Sequence, residues 1–281
     1  MSAVWLEQRE RGNRFAVRAA VRMLLGAGHT LGRLLLYPIA AYFVAFSVRA
    51  RSASRQYLER VLGRPARLLD IARHYLTFAR TIQDRVYFLA GRTDEFIIEK
   101  RGAEAVEQAL ARGRGCLLLG AHLGSFEVLR VMGTRERKLP VNALLYPDNA
   151  TNTDAVLAEL CPDLRERVIP LGRPQTLLRV RECLERNEIV GLLGDRSLRS
   201  ERSARCDFLG APASFPLGPL RLAAILEAPV VLFFGLYLGG RRYALHFEPF
   251  AGDVAHYAAR LEHYCRLAPY NWFNFYDFWA A

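Results

Sequence analysis

The chain has 281 residues, of which 52% are hydrophobic and 24% charged, so it can form one large α/β domain and is not intrinsically disordered. Its net charge is +11, and every basic residue except Lys100 and Lys138 is an arginine. Arginine binds phosphate and carboxylate groups through a planar fork, so this surplus indicates an anionic partner, although genomic base composition also enriches arginine. The five cysteines are odd in number and lack metal-ligand spacing, so neither a disulfide framework nor a zinc site is predicted.

The N-terminal region combines basic charge with the most hydrophobic stretch of the chain. Residues 34–48 are uncharged, and as a helix they would span about 22 Å, less than the roughly 30 Å hydrocarbon core of a bilayer. A longer span would include His29 and Arg33, which are costly in the middle of a membrane. We therefore expect an interfacial or re-entrant anchor, with a buried amphipathic helix of a soluble protein as the alternative. No cleaved signal peptide is expected.

The hydrophobic pattern predicts an α/β fold with a largely parallel central sheet flanked by helices. Residues 15–90 have helical periodicity, and strand-like runs then alternate with helical patterns. The last strand is expected to pair antiparallel through Gly239-Gly240. This pattern divides the chain into an N-terminal helical membrane-associating region, residues 1–90, and an α/β core, residues 91–281. The predicted strands lie near 116–120, 141–146, 167–171, 188–193, 229–238 and 242–248, and the predicted helices near 103–112, 125–132, 152–160, 174–186, 217–227 and 253–267.

A histidine and a glutamate stand at the end of the first of these strands. His122 follows the apolar run 116–119, and Ser125 is a candidate N-cap for a helix whose first turn contains Glu127. A bend at Gly124 would allow the two side chains to meet, and an ionised glutamate bonded to one imidazole nitrogen makes the other nitrogen a better base. The alternative is a structural loop histidine and a solvated glutamate.

The segment His122-Leu-Gly-Ser-Phe-Glu127 resembles the His-x4-acidic motif of the lysophospholipid acyltransferase superfamily. It is most similar to the bacterial branch that includes the lipid A late acyltransferases. Further elements follow in the order of that branch: Gly194-Asp195-Arg196, the segment 208–219 with its Phe-x-Gly-x-Pro and Pro-x-Gly-Pro motifs, and the apolar run 228–234. The resemblance covers roughly residues 5–280.

This resemblance implies an enzyme that transfers a fatty acyl group from an acyl thioester, carried by acyl carrier protein or coenzyme A, to a hydroxyl or amine of a membrane lipid. His122 would be the general base and Glu127 would orient it, without an acyl-enzyme, a metal or a cofactor. Backbone N–H groups around Gly124, or an arginine, would stabilise the oxyanion. The expected location is the cytoplasmic face of the bacterial inner membrane. The substrate contacts that the resemblance implies are Gly124, Ser125, Asp195, Arg196 and Arg199, with Ser197 beside them.

Two other functions are compatible with the charge. One is a non-catalytic basic protein that binds membrane surfaces, and the other is a nucleic-acid binder, which is not expected because no interleaved basic and aromatic patch occurs.

The segment 270–279 has seven aromatic residues in ten. These rings would line an acyl channel, lie at a membrane interface or cap the core.

Overall fold

The computed structural model describes residues 14–136, 141–146, 152–196 and 201–280. In this part of the chain the six predicted apolar runs form strands of a central sheet. The strands are β1 (Ile97–Arg101), β2 (Cys116–Gly120), β3 (Val141–Leu145), β4 (Val168–Pro170), β5 (Ile189–Leu193), β6 (Ser203–Phe208), β7 (Ala211–Pro216), β8 (Val230–Gly239) and β9 (Arg242–Phe250). Three of these described strands were not predicted: β1, which joins the same sheet, and β6 and β7, which form a separate two-stranded sheet.

Among the described residues, the main sheet has seven strands in the order β1-β9-β8-β2-β5-β3-β4. The five strands from β8 to β4 are parallel. At the other side β9 turns back antiparallel to β8 through Gly239-Gly240, and β1 runs parallel to β9. The α/β class, the parallel sheet and the antiparallel last strand are therefore confirmed.

Strand β2 lies in the middle of the sheet, and both of its faces are buried. Leu117 and Leu119 pack in the hydrophobic cluster on one face, whereas Cys116 and Leu118 pack in the cluster on the other. A strand that is covered on both sides needs a continuous apolar sequence, which explains why this run is apolar without alternation.

Helices cover both faces of the sheet and fill the N-terminal region. Except for the short helix Pro162–Glu166, which was not predicted, their positions agree with the predicted helical segments to within a few residues. They are α1 (Arg14–Ala27), α2 (His29–Phe46), α3 (Val48–Leu62), α4 (Leu68–Leu89), α5 (Glu104–Leu110), α6 (Glu127–Glu136), α7 (Asn152–Leu160), α8 (Pro162–Glu166), α9 (Thr176–Glu185), α10 (Gly218–Leu226) and α11 (Val254–Leu267), with a 3₁₀ turn at Thr93–Glu95.

Helix α2 has one protein-facing side and one exposed apolar side. Its buried stripe includes Gly32, Leu36 and Ala40, and a side chain at Gly32 would collide with Gln83 of α4. The opposite side exposes large apolar side chains. In the described part of the chain, α2 is the one helix whose length and hydropathy would suffice to cross a membrane. The large apolar residues exposed along α2 are Leu31, Leu34, Tyr37, Ile39, Tyr42, Phe43 and Phe46.

A buried polar network holds α2 against the rest of the protein. Asp84 of α4 is fully buried and accepts hydrogen bonds from Arg33 at 2.8 Å and from the Tyr243 hydroxyl at 2.8 Å. His29 Nε2 lies 2.9 Å from the same carboxylate. His29 and Arg33, the two residues that would be costly in a full membrane span, are therefore turned towards the interior of the protein. The division at residue 90 stays a prediction, and residues of α3 and α4 share a core cluster with the strands.

Candidate active site

The carboxyl ends of two neighbouring strands bring His122 and Asp195 together. Gly120 at the end of β2 pairs with Leu193 at the end of β5. His122 and Asp195 each lie two residues beyond this pair, so the sheet register sets them side by side. The His122 Nδ1 atom lies 2.8 Å from Asp195 Oδ1. The carboxyl ends of parallel strands are where open α/β sheets bind ligands.

Asp195 is fully buried and accepts three hydrogen bonds. Its Oδ2 atom accepts from the His122 backbone N–H at 3.1 Å and from the Trp272 indole N–H at 2.9 Å, and its Oδ1 atom faces the imidazole. Burial alone would raise the pKa of this carboxyl. The charge and hydrogen bond of His122, with Arg196 and Trp272, outweigh burial and lower the pKa of Asp195 to about 2.

The ionised Asp195 fixes the tautomer of His122. Because the carboxylate can only accept, Nδ1 must carry the proton and donate it, which leaves the lone pair on Nε2. Burial, together with the positive charge of Arg196, lowers the pKa of His122 against the opposing effect of Asp195. The side chain remains 31% exposed. His122 is therefore a neutral imidazole, accessible from outside and oriented to take up a proton at Nε2.

Glu127 accepts hydrogen bonds from two arginines and not from His122, the partner that the sequence predicts. Glu127 Oε2 accepts from Arg85 Nε at 3.1 Å, and Glu127 Oε1 accepts from Arg130 at 3.2 Å. The glutamate is 6% exposed and lies in the first turn of α6, where the helix dipole favours its negative charge. Asp195 occupies the place beside the imidazole that the sequence pattern assigned to Glu127.

The bend predicted at Gly124 is present and needs glycine. Its φ is +68°, and a Cβ would lie 1.8 Å from the Gly235 carbonyl oxygen. The Gly124 N–H donates to Asn271 O and the Ser125 N–H donates to Gly235 O, each at 2.8 Å. Both amides are thus used within the protein, so they do not point to an oxyanion in the way that was expected of the backbone around Gly124. Helix α6 begins at Glu127, two residues after Ser125, so the N-cap expected at Ser125 is shifted.

Arg196 extends from β5 towards the C-terminal aromatic segment. Its guanidinium donates to the Phe273 carbonyl at 2.9 Å and lies 5.8 Å from the centre of the Tyr276 ring. The other expected contacts, Ser197 and Arg199, lie outside the described residues. Among the residues that are described, no group of three or more His, Cys, Asp or Glu side chains is arranged to hold a metal ion.

The model of the bacterial lipid A biosynthesis acyltransferase family matches residues 6–265 of the chain. The chain belongs to this family. It is therefore an acyltransferase enzyme of lipid A biosynthesis type, and the resemblance found in the sequence is confirmed. The non-catalytic alternative is set aside by this assignment. No curated protein matches the chain. Lipid A acyltransferases typically associate with the inner membrane and in general use acyl carrier protein thioesters and lipid A-type acceptors.

The sequence points to Asp195 and to the aromatic segment with Trp272, but not to the contacts that these two residues make. The resemblance implies that Asp195 is a substrate contact, whereas in the structure it bonds to His122. In the sequence Trp272 is only one ring of an aromatic segment, yet in the structure its indole N–H donates to Asp195. The sequence does contain a signal for the contact between His122 and Asp195, because each residue follows the end of its strand by two positions. That spacing predicts a contact only if β2 and β5 are known to be neighbours.

Proposed function

We propose that this acyltransferase moves a fatty acyl group from an acyl thioester to a hydroxyl or amine of a membrane lipid, with His122 as general base. His122 Nε2 removes the proton of the acceptor as its oxygen or nitrogen attacks the thioester carbonyl. The tetrahedral intermediate then expels the thiolate, which takes the proton back from the imidazolium. The acyl group passes directly to the acceptor, so no acyl-enzyme, metal or cofactor takes part.

The observation that carries this proposal is the hydrogen bond between His122 Nδ1 and the buried, ionised Asp195 at 2.8 Å. A carboxylate at Nδ1 holds the imidazole in the required tautomer and stabilises the imidazolium that forms during the reaction. The position of His122 at the strand ends and the 31% exposure of its side chain support access of the acceptor to Nε2.

Glu127 keeps a role in the proposal, acting through its two arginines. Its carboxylate binds Arg85 and Arg130 at the start of the helix that follows His122. A guanidinium held in this way has the charge and geometry to bind the thioester oxyanion or a lipid phosphate. Arg196, whose charge acts on the pKa of His122, is a second candidate for that role. The other substrate contacts in the proposal are Gly124, Ser125 and Arg199.

The donor is proposed to be acyl carrier protein or coenzyme A, and the acceptor a lipid A-type or related membrane lipid. Both donors carry negative charge, and the chain has a net charge of +11. Since these thioesters are made in the cytoplasm, the site would face the cytoplasmic side of the inner membrane.

Helix α2 is proposed to anchor the protein at the membrane interface. Its polar residues face Asp84, while Leu34, Tyr42 and Phe46 are exposed on the other side. A helix with one side fixed to protein and an apolar outer side suits a position in the plane of the interface. This arrangement favours an interfacial anchor over a full membrane span.

Purified protein, an acyl thioester and a lipid acceptor test the general-base assignment. His122→Ala should lower kcat by about 10²- to 10⁴-fold, because general-base catalysis contributes that much. His263→Ala, on an exposed face of α11, is the matched control and should retain wild-type activity. A His122→Ala variant that keeps more than about a tenth of the wild-type rate would contradict the base assignment.

A further inference from the structure

Trp272 is a fully buried residue of the C-terminal aromatic segment, and its indole N–H points at the active-site carboxylate. The Nε1 atom lies 2.9 Å from Asp195 Oδ2. Oδ1 of the same carboxylate bonds to His122 Nδ1 at 2.8 Å. Oδ2 also accepts from the His122 backbone N–H at 3.1 Å. Together these three donors fix the rotation of the carboxyl group about its Cβ–Cγ bond, and the indole N–H is the one donor among them that lies outside His122.

The backbone of Trp272 is held by a buried histidine that the reaction does not use. His74 Nε2 donates to the Trp272 carbonyl at 2.9 Å, since that oxygen can only accept. His74 Nδ1 must then accept from the Ser54 hydroxyl, which lies at 2.8 Å. Burial lowers the pKa of His74 to about 4, so the ring is neutral and keeps this arrangement at physiological pH. Helices α3 and α4 thus fix the position of the indole.

The segment around Trp272 is also joined directly to the loop that carries His122. Leu123 and Trp272 form an isolated β-bridge, and the Phe273 N–H donates to the His122 carbonyl at 2.8 Å. The indole itself packs against other rings with centroid separations of 4.9 Å to Tyr57 and 5.3 Å to Phe208. Both the backbone and the ring of Trp272 are therefore held by contacts on several sides.

We infer that Trp272 is a positioning residue of the active site, whose indole N–H holds the Asp195 carboxylate in the orientation that binds His122. This role rests on the proposed general-base function of His122. It is distinct from core packing alone, since packing requires the ring but not its N–H. A buried indole needs an acceptor, and here the acceptor is the carboxylate that orients the base.

Trp279 provides a matched comparison within the same aromatic cluster. Its ring lies 6.2 Å from that of Trp272, and its indole N–H donates to the backbone carbonyl of Phe208 at 3.3 Å. The same substitution at both positions therefore removes an indole N–H from the same cluster, but only Trp272→Phe removes a bond to the catalytic centre.

The test is a double-mutant cycle on kcat. Trp272→Phe should lower kcat by about 10- to 100-fold, as expected for the loss of a hydrogen bond to a charged acceptor, with KM for the thioester changed by less than about threefold. In the Asp195→Ala background, Trp272→Phe should cost less than about twofold, because its partner is already absent. Trp279→Phe should cost less than about twofold in either background.

If the Trp272→Phe variant does not fold, a substitution of nearly the same shape as tryptophan provides a second test. Replacing Trp272 with 3-benzothienylalanine keeps the shape of the bicyclic ring and exchanges only the N–H for sulfur, and it should reproduce the loss in kcat. Wild-type kcat in that variant, or equal losses for Trp272→Phe with and without Asp195, would overturn the inference and leave the proposed function intact. A wild-type protein without any acyl transfer would overturn both.

Discussion

At the scale of single residues, the proposed chemistry depends on a contact between positions 73 residues apart. Asp195 lies beside His122, whereas Glu127, only five residues from His122, binds Arg85 and Arg130. A buried carboxylate with three donors keeps its charge, so it can orient the imidazole without taking its proton. The pH dependence of the reaction should therefore report the pair formed by His122 and Asp195.

The activity should be retained at pH values below the ordinary pKa of histidine. A general base must be neutral, and burial with the charge of Arg196 lowers the pKa of His122. The acid limb of the kcat/KM profile should therefore lie below about pH 6.5, and activity should fall only as the pH drops further. A profile whose acid limb lies clearly above pH 6.5 would contradict this electrostatic account.

Variants at the two carboxylates separate their roles. Asp195 raises the pKa of His122, so Asp195→Asn should move the acid limb to still lower pH and should reduce kcat by about 100-fold or more through loss of the orienting bond. Glu127→Gln should leave the acid limb near its wild-type position, because Glu127 bonds to Arg85 and Arg130. Asp277→Asn, an exposed change, serves as the control. If the acid limb moved in Glu127→Gln but not in Asp195→Asn, Glu127 rather than Asp195 would be the carboxylate that acts on His122.

Much of this site could be predicted from the sequence, but the pairing could not. His122, Gly124 and the start of α6 follow from local rules, because a strand, a bend and a helix follow each other within about ten residues. The contact between His122 and Asp195 depends on which strands are neighbours. The chain order suggests β3 beside β2, but β5 lies between them. Local spacing therefore favoured Glu127.

At the scale of secondary-structure elements, the apolar strands were predictable and the polar ones were not. Strands β2 and β5 are buried along almost their whole length, so their sequences are continuously apolar. Strand β1 is half exposed and reads Ile-Ile-Glu-Lys-Arg, and the β6–β7 hairpin mixes charged, small and proline residues. Strand β1 has no buried residue, and in the hairpin the buried Phe208 and Phe215 stand among charged, small and proline residues, so neither sequence gives a clear hydrophobic period.

The packing of α2 depends on the buried charge at Asp84. Asp84→Leu would leave Arg33 and His29 without their carboxylate in a buried position, and such a loss typically costs about 3–5 kcal/mol. We expect a lower midpoint of denaturant unfolding and earlier proteolytic cleavage within α2. The exposed pair of Arg18 and Glu159 provides the control, because Glu159→Gln should leave the midpoint nearly unchanged. Equal effects of the two changes would show that Asp84 does not anchor α2.

At the scale of the whole molecule, the protein combines a positive net charge with an exposed apolar side of helix α2. The outer side of α2 exposes Leu34 and Phe46 by 59% and 66%, and the chain carries eleven excess positive charges. An apolar helix face combined with arginine favours anionic bilayers, because burial of the apolar side chains adds to electrostatic attraction. The reaction site would then work on lipids without leaving the membrane surface.

Co-flotation with vesicles tests this surface. The protein should bind vesicles containing anionic lipid, less tightly at about 1 M salt because charges are screened. Leu34→Ser with Phe46→Ser should weaken binding by at least about tenfold. Leu178→Ser with Ile225→Ser changes exposed apolar residues of α9 and α10 and should leave binding unchanged. If both pairs weakened binding equally, α2 would have no special role.

The most direct test of acyl transfer by His122 is mass spectrometry of total lipids from cells with and without the chain, with His122→Ala as the control. The account predicts a lipid whose mass rises by one acyl unit only when the wild-type chain is present, and this lipid identifies the acceptor. The same lipid formed by His122→Ala would contradict the catalytic assignment. No new lipid in cells, together with no turnover of a labelled acyl thioester by the purified wild-type protein and acceptor lipids, would contradict the proposed reaction itself.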